Sequence, residues 1–175
     1  MEEKFEMSRM GELTFIFGIQ VRQLEDDTFI NQTKYTRELL KKFGVENCSA
    51  ASTPMKSCSK MDKDEDGQSN NITAYRRIVR YLLYLPARRP DILFAIGVCG
   101  KFQANPKQSH YIAAKRILKY LMGTKNVGLW YLKDSSFNLI SYSNADYASC
   151  KINWKSTSET CQFLGDHLIS WFNKK

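Results

Sequence analysis

The histidines and cysteines that could bind zinc or act as nucleophiles are few in this sequence, and their spacing suits neither role. The two histidines, His110 and His167, lie 57 positions apart, and no C-x-x-C pair occurs among the five cysteines, Cys48, Cys58, Cys99, Cys150 and Cys161. Such spacing argues against a zinc site or a disulfide framework. Reduced thiols in an intracellular protein, cytoplasmic or nuclear and not secreted, are the expectation.

Residues 62–67 (DKDEDG) place carboxylate oxygens at alternate positions before a glycine, as the first half of a calcium loop does. The twelfth position of such a loop needs a bidentate glutamate, and this sequence has Thr73 there. We therefore interpret the run as an acidic turn. No metal ion, no other cofactor and no small-molecule substrate is predicted.

Basic residues are the most concentrated chemical feature of the sequence. Residues 74–125 contain eleven lysines and arginines and one acid, Asp91, so this segment carries a net charge of +10 in a chain whose total is +8. A basic segment of this kind suits a polyanion, and a solvated helical surface is the alternative. The residues that we predict to bind nucleic acid are Arg76, Arg77, Arg80, Arg89, Lys101, Lys107, Lys115, Arg116 and Lys119.

Three helices are predicted to carry this charge. The first covers residues 75–85 with an apolar stripe on one side, and the second, residues 91–102, is apolar almost all round and therefore buried. In the third, Asn105 is the expected N-cap, Pro106 takes the first helical position and Gly123 follows the last turn.

The segments before these helices predict a hairpin, a short helix and a loop. Residues 13–21 alternate in polarity, which predicts a single half-buried strand, and a turn at 25–28 allows residues 29–32 to pair back. An amphipathic helix then ends at Gly44. Residues 47–71 lack periodicity and are predicted to form an exposed loop.

After the third helix the apolar period changes from 3.6 to 2. Short strands are predicted at residues 128–132, 137–142, 160–164 and 167–171. Since no helix follows to cover the sheet, the sheet is expected to be incomplete and the chain to be cut off. No apolar run approaches the ~20 residues that cross a bilayer, so no membrane partner is expected.

Several runs together resemble the Pol polyprotein of copia-type LTR retrotransposons, and they occur in the order typical of that family over nearly the whole chain. They are residues 10–13 (MGEL) with 17–19 (FGI), 30–32 (INQ) with 34–35 (KY), 52–55 (STPM), 75–76 (YR), 82–85 (LLYL), 89–92 (RPDI), 115–121 (KRILKYL) with 123–124 (GT), 128–129 (GL), 142–146 (YSNAD) and 155–158 (KSTS).

The resemblance implies an α+β fold in four parts. Residues 1–46 would be a palm-to-thumb hairpin and helix, 47–72 a linker, 73–125 a basic three-helix thumb and connection region, and 126–175 the truncated strands of an incomplete RNase H-like sheet. In the intact family enzyme the thumb helices lie against the template-primer duplex. The implied partner is therefore an RNA–DNA or DNA duplex, held through its phosphates.

The same resemblance argues against catalysis. Polymerase chemistry in the family uses a Tyr-x-Asp-Asp turn to hold two metal ions, and this sequence has no such turn. The first RNase H strand reads Ser-Asp-Ala-Asp in the family, and here Asn144 replaces the first aspartate, a metal ligand, while Asp146 is a weak substitute on the same face. We therefore predict no catalytic residue, no enzyme activity and no use of the Mg²⁺ that the ancestral enzyme binds.

Two further departures from the family pattern suggest a decayed copy. Glu159 occupies a position where the family has glycine, and Arg80 and Tyr81 occur where it has small residues. These side chains either disturb close packing or point to solvent. The resulting hypothesis is a non-catalytic remnant that retains at most nucleic-acid binding. The alternatives are a part of an active RNA-directed DNA polymerase with RNase H, and a recruited nucleic-acid-binding module.

Overall fold

The computed structural model describes residues 14–56, 61–146 and 156–174, and these residues form an α+β fold with two antiparallel sheets. No helix among them is long and apolar enough to span a bilayer. The strands are β1 (Phe15–Ile16), β2 (Ile19–Gln23), β3 (Asp27–Asn31), β4 (Gly128–Leu132), β5 (Leu139–Asp146), β6 (Thr157–Leu164) and β7 (His167–Lys174). The helices are α1 (Thr33–Lys42), α2 (Ile72–Leu82), α3 (Leu93–Gly100), preceded by a 3-10 turn at Pro90–Ile92, and α4 (Gln108–Gly123).

The first strand pair corrects the prediction of one strand over residues 13–21, whose first residue lies outside the described part. β1 and β2 are antiparallel partners, with Ile16 opposite Ile19. The two residues between them, Phe17 and Gly18, have positive φ angles of 47° and 78°. Two positive φ angles define the tight turn that suits the twist of a hairpin. Polar and apolar residues continue to alternate through this two-residue turn, so the alternation could not distinguish two short strands from one long strand.

β4 belongs to the first sheet, whose strand order is β1-β2-β3-β4. It pairs with β3 from Gly128 opposite Asn31 to Leu132 opposite Asp27. The sequence analysis had grouped β4 with the later strands, and the structure corrects this. Gly128 allows the close pairing, because a Cβ atom there would lie 2.3 Å from the backbone oxygen of Ile30. The basic helices therefore lie between two strands that are partners.

The helices enclose the hydrophobic core. α1 begins where the side chain of Asn31 accepts a hydrogen bond from the backbone of Thr33, at 3.0 Å. α2 begins three residues earlier than predicted, since the side chain of Asn71 caps the backbone N–H of Ala74. The predicted stripe on α2 is buried, and its tyrosine, Tyr75, donates to the carbonyl of Cys99 at 2.7 Å.

α4 supplies the opposite wall of the core through Ala114, Ile117, Leu118 and Leu121, which are all fully buried and recur at the spacing of one helix face. Its start differs from the prediction, because the N-cap is Lys107 instead of Asn105. A bridge between Ser69 and Lys107 holds the chain extended at that point and delays the helix. Gly123 is the last helical residue instead of the residue after the helix.

β5, β6 and β7 form the second sheet, in that order, and are longer than the sequence predicted. The indole N–H of Trp171 on β7 donates to the carbonyl of Pro86 at 2.9 Å. The hydroxyl of Tyr131 on β4 donates to the carbonyl of Leu168 at 3.1 Å. These two contacts join the second sheet to the α2–α3 connection and to the first sheet.

Candidate nucleic-acid interface

Three cationic side chains lie near Tyr81 at the junction of α1 and α2. The ammonium group of Lys42 donates a hydrogen bond to the hydroxyl of Tyr81 and lies 4.2 Å from the centroid of its ring. The guanidinium carbon of Arg77 lies 5.7 Å from the centroid of the Phe43 ring, and Arg80 is exposed on the same helix. We call Lys42, Arg77 and Arg80 the α1–α2 basic patch.

Local sequence explains why these charges are at the surface. α2 buries Tyr75, Ile78, Val79 and Leu82, so Arg77 and Arg80 fall on the side of the helix that faces solvent. α2 contains no acidic residue. Lys42 is in the last turn of α1, where a positive charge interacts favourably with the helix dipole.

The pKa of Tyr81 reports the charge of the patch. Its pKa is lowered chiefly by the hydrogen bond from Lys42 and by the charge of that lysine, with smaller contributions from Arg80 and Arg77. The ring of Tyr81 packs edge to face on Phe43, with 5.9 Å between the centroids. The sequence analysis left open whether Arg80 and Tyr81 disturb close packing or point to solvent. The side chain of Arg80 points to solvent, and the ring of Tyr81 packs on Phe43.

Arg76 and Lys101 extend the positive surface towards the end of α3. Arg76 is exposed, one turn before Arg80, and its Nε donates to the carbonyl of Gln103 at 2.8 Å. Lys101 is exposed at the C-cap of α3. Both residues therefore present charge at the surface, as the sequence analysis expected of a phosphate-binding side chain.

Arg89 is a correction to the predicted set, because its guanidinium group is only 2% exposed. It forms a two-pronged ion pair with Asp91, with distances of 2.9 and 2.7 Å, and donates to the carbonyl and hydroxyl of Thr124 at 2.9 and 2.8 Å. Burial alone would raise the pKa of Asp91, but the hydrogen bonds and charge of Arg89 more than offset it and lower that pKa. Arg89 is therefore committed to joining the start of α3 to the end of α4.

Lys107 is the second correction, because it is buried and its ammonium group is occupied by two backbone carbonyls. It donates to the oxygens of Glu65 and Gly67, at 3.2 and 3.0 Å. These carbonyls belong to the acidic run that resembles half a calcium loop. The positive charge beside the acidic run therefore comes from Lys107. This arrangement agrees with the interpretation of the run as an acidic turn.

The cations of α4 are only partly available. Lys115 is exposed, with its ammonium group 4.7 Å from the ring centroid of Tyr111. Arg116 donates to the hydroxyl of Thr53 at 2.9 Å, and the backbone carbonyl of Lys119 accepts from Ala51 at 3.1 Å. The loop after α1 therefore crosses α4 at Arg116 and Lys119, whose side chains are half-buried. The sequence analysis had predicted that all three residues bind nucleic acid.

Asn144 lies on β5 directly opposite Glu159 on β6, and Glu159 lies opposite Asn173 on β7. The amide of Asn173 donates to the carboxylate of Glu159. Asn144 is exposed at a cleft of about 400 Å³ that the rings of Phe94 and Trp171 help to line. Asp146 continues β5, and its side chain lies outside the described part of the chain.

The chain is similar to several retrotransposon Pol polyproteins. The chain is 33% identical over 175 residues to the retrovirus-related Pol polyprotein from transposon RE1 of Arabidopsis thaliana, and 30% identical over 184 residues to that from transposon TNT 1-94 of Nicotiana tabacum. It is also 31% identical over 176 residues to an uncharacterized mitochondrial protein of Arabidopsis thaliana, of which it covers 72%. The chain belongs to the copia-type retrotransposon Pol family.

The alignment with RE1 includes 100% of this copia-type Pol chain but only 12% of the RE1 polyprotein. The alignment with TNT 1-94 includes 14% of that polyprotein. No family model matches the sequence. No solved structure matches it either.

The family implies Mg²⁺ at an RNase H centre, and the described side chains do not fit it. The cleft beside Asn144 has two described carboxylates: Glu159, which accepts a hydrogen bond from Asn173, and Asp91, which is paired with Arg89. Two-metal chemistry requires several anionic ligands between two ions. Among the described residues, no three His, Cys, Asp or Glu side chains are grouped for a metal ion.

Sequence reasoning missed Lys42, because it counted charge only in residues 74–125. The available signal was the pair Lys41-Lys42 in the last turn of α1, followed by Phe43 and Gly44. Two lysines at the end of α1 would have suggested one positive surface shared with α2 if the two helices were expected to pack together.

Proposed function

We propose that this copia-type Pol chain is a non-catalytic remnant that binds an RNA–DNA or DNA duplex through the phosphates. The observation that carries the proposal is the α1–α2 basic patch, in which three cations lie near one tyrosine on a helix without acids. Arg76 and Lys101 add positive charge along the same helix and at the end of α3. A duplex backbone is a continuous polyanion that such a surface fits.

In this proposal α2, α3 and α4 correspond to the thumb and connection of the intact enzyme, and β5–β7 to the first RNase H strands. The antiparallel order β5-β6-β7 supports the second assignment, since the asparagine that replaces the family's first acid lies on β5. The absence of catalysis rests on that replacement, because a neutral amide binds Mg²⁺ far more weakly than a carboxylate.

The salt dependence of binding gives the expected size of the effect. Each neutralised phosphate contributes a slope of about −0.9 to the plot of log K against log salt concentration, so the three residues of the patch contribute about −2.7. A variant that loses two of these contacts should have a slope smaller in magnitude by about 2.

The test compares R77E/R80E with K63E/K133E. Lys63 and Lys133 are exposed and lie outside the patch. Each double variant replaces two positive charges by two negative charges, so both change the net charge equally. Binding to a labelled 20-base-pair RNA–DNA hybrid is measured by fluorescence anisotropy across a salt series with Mg²⁺, and the hybrid is then run on a denaturing gel.

The proposal predicts weaker binding and a smaller slope for R77E/R80E alone, with the hybrid intact. Equal losses in the two variants would mean that net charge, and not the patch, attracts the duplex. Cleavage of the hybrid that persists in N144A and disappears in E159Q would show an active centre and end the non-catalytic part of the proposal.

A further inference from the structure

One face of the first sheet combines exposed aromatic rings with cations. Arg22, Phe29 and Trp130 are direct partners across β2, β3 and β4, so their side chains project from the same face of the sheet. The rings of Phe29 and Trp130 are 5.1 Å apart between centroids, with an angle of 43° between their planes. Trp130 remains 47% exposed although it is the largest apolar side chain there.

Beside these rings, a polar cleft of about 650 Å³ extends from the sheet to the first turns of α1. Arg22, Lys34 and Arg37 line it together with a single acid, Glu38. All three cations are exposed, and within the described residues no carboxylate lies within ion-pair distance of them. The cleft therefore has a net positive charge next to the exposed ring of Trp130 and the half-buried ring of Phe29.

We propose that this surface, the β2–β4 face, binds an unpaired strand of RNA or DNA. Exposed rings next to a basic groove are the two features by which proteins hold single strands, since bases stack on the rings and phosphates lie along the cations. A duplex offers phosphates but no free base face inside its stack, so Trp130 would contribute nothing to duplex binding. The charge of the cleft argues against an apolar peptide as the occupant.

The β2–β4 face and the α1–α2 basic patch consist of different residues, and each takes a different form of nucleic acid. The α1–α2 basic patch lies at the end of α1, where Lys42 is the last residue, whereas the cleft lies at the beginning of α1, near Lys34. Lys34 and Lys42 are eight positions apart on α1, and a helix rises about 1.5 Å per residue, so these two lysines are separated by about 12 Å along the helix.

The experiment measures the affinity of the full chain for a labelled twelve-nucleotide oligouridylate and for the blunt RNA–DNA hybrid. The variants are W130A, W130F and R22E/R37E. Phe137, which is 88% exposed on the approach to β5, gives the matched control F137A. Loss of one stacked base corresponds to a decrease in affinity of about 5- to 100-fold.

The expected result is that W130A loses about 5- to 100-fold in affinity for the single strand, that W130F keeps most of it, and that hybrid binding is unchanged. R22E/R37E should weaken single-strand binding and reduce its salt dependence. R77E/R80E should show the reverse selectivity, so failure of one proposal can be told from failure of the other.

Three outcomes would overturn the inference. W130A could bind the oligouridylate as well as the wild type does. F137A could lose as much affinity as W130A. The wild-type chain could form a dimer that W130A abolishes, which would identify a second copy of the chain as the occupant of this face.

Discussion

Replacement of Arg89 by methionine should destabilise the chain without weakening its binding to a duplex. Arg89 is 2% exposed and forms four side-chain hydrogen bonds, two to the carboxylate of Asp91 and two to Thr124. Methionine keeps much of the length and the apolar contacts but leaves that carboxylate without its counter-charge. Breaking a buried ion pair by removing one partner costs about 3–5 kcal/mol.

The loss should be visible as a lower melting temperature. For a chain of 150–250 residues, about 1 kcal/mol corresponds to roughly 2–4 °C, so R89M should melt about 6–20 °C below the wild type. The side chain of Asp91 is 30% exposed, and water there will solvate part of the freed charge, so the lower half of this range is the better expectation. R89K keeps the charge but loses the planar fork, and its melting temperature should fall between the two.

The assay is thermal unfolding followed by circular dichroism, together with hybrid binding at a temperature at which R89M is folded. The exposed arginine of α2, in the variant R77M, is the matched control, and it should lose affinity with a change in stability below about 0.5 kcal/mol. If R89M melted with the wild type, or lost duplex affinity as R77M does, our assignment of Arg89 to a structural role would be refuted.

Further predictions concern pH, side-chain ionisation and backbone geometry. Because the folded pKa of Asp91 is lowered, its contribution to stability is complete above the unfolded value of about 3.9 and is lost as pH falls through the folded pKa. Urea midpoints between pH 6 and pH 3 should therefore decline less in D91N than in the wild type. K42M should raise the pKa of Tyr81, because it removes the hydrogen bond and the charge that lower it. In a spectrophotometric titration the phenolate absorbance of Tyr81 should then appear at a higher pH, and Y81F identifies that absorbance by its loss. G18A forces a residue with a Cβ atom to adopt a φ of 78°, so the free energy of unfolding measured with denaturant should fall by about 1 kcal/mol. As the control, an alanine substitution at an exposed position with negative φ should leave that free energy unchanged. K107M leaves the carbonyls of residues 65 and 67 without their donor, and proteolysis of the acidic turn should become faster than in K115M.

The helices were predictable because their apolar spacing is a property of short segments. The stripes of α2 and α4 are buried as the 3.6-residue period indicated, and the α+β class follows from the change of period after Gly123. Helix boundaries were less predictable. They depend on caps such as the side chain of Asn71, and on a bridge between Ser69 and Lys107 that joins distant parts of the chain.

The hairpin of β2 and β3 was predicted from its turn, but the partner of β4 could not be predicted from the sequence. Nothing in the composition of β4 distinguishes a partner of β3, about 100 positions earlier, from a partner of β5, the next strand. Alternation assigns the two faces of a strand, but the neighbour is decided by how the helices between β3 and β4 pack. The contact between the rings of Phe29 and Trp130 exists only because of that long-range pairing.

The distribution of charge shows why a count of basic residues is an incomplete guide to a binding surface. Arg89 and Lys107 contribute two of the eleven cations in residues 74–125, yet both are buried and hold carbonyl or carboxylate oxygens of this chain. Their burial is possible because each has enough acceptors, four hydrogen bonds for one and two for the other. Sequence cannot separate such residues from those that await a phosphate, since an arginine two positions from an aspartate also occurs on surfaces.

The same segment count omitted cations that the fold brings to the interface from elsewhere. Lys42 reaches α2 because α1 packs beside it, with the hydroxyl of Tyr35 donating to the backbone carbonyl of Tyr81 at 2.9 Å. Arg22 and Arg37 are fifteen positions apart in the sequence and line one cleft. A surface for a polyanion is therefore a property of helix and strand packing, and the variants of the two proposals test the residues that packing brings together.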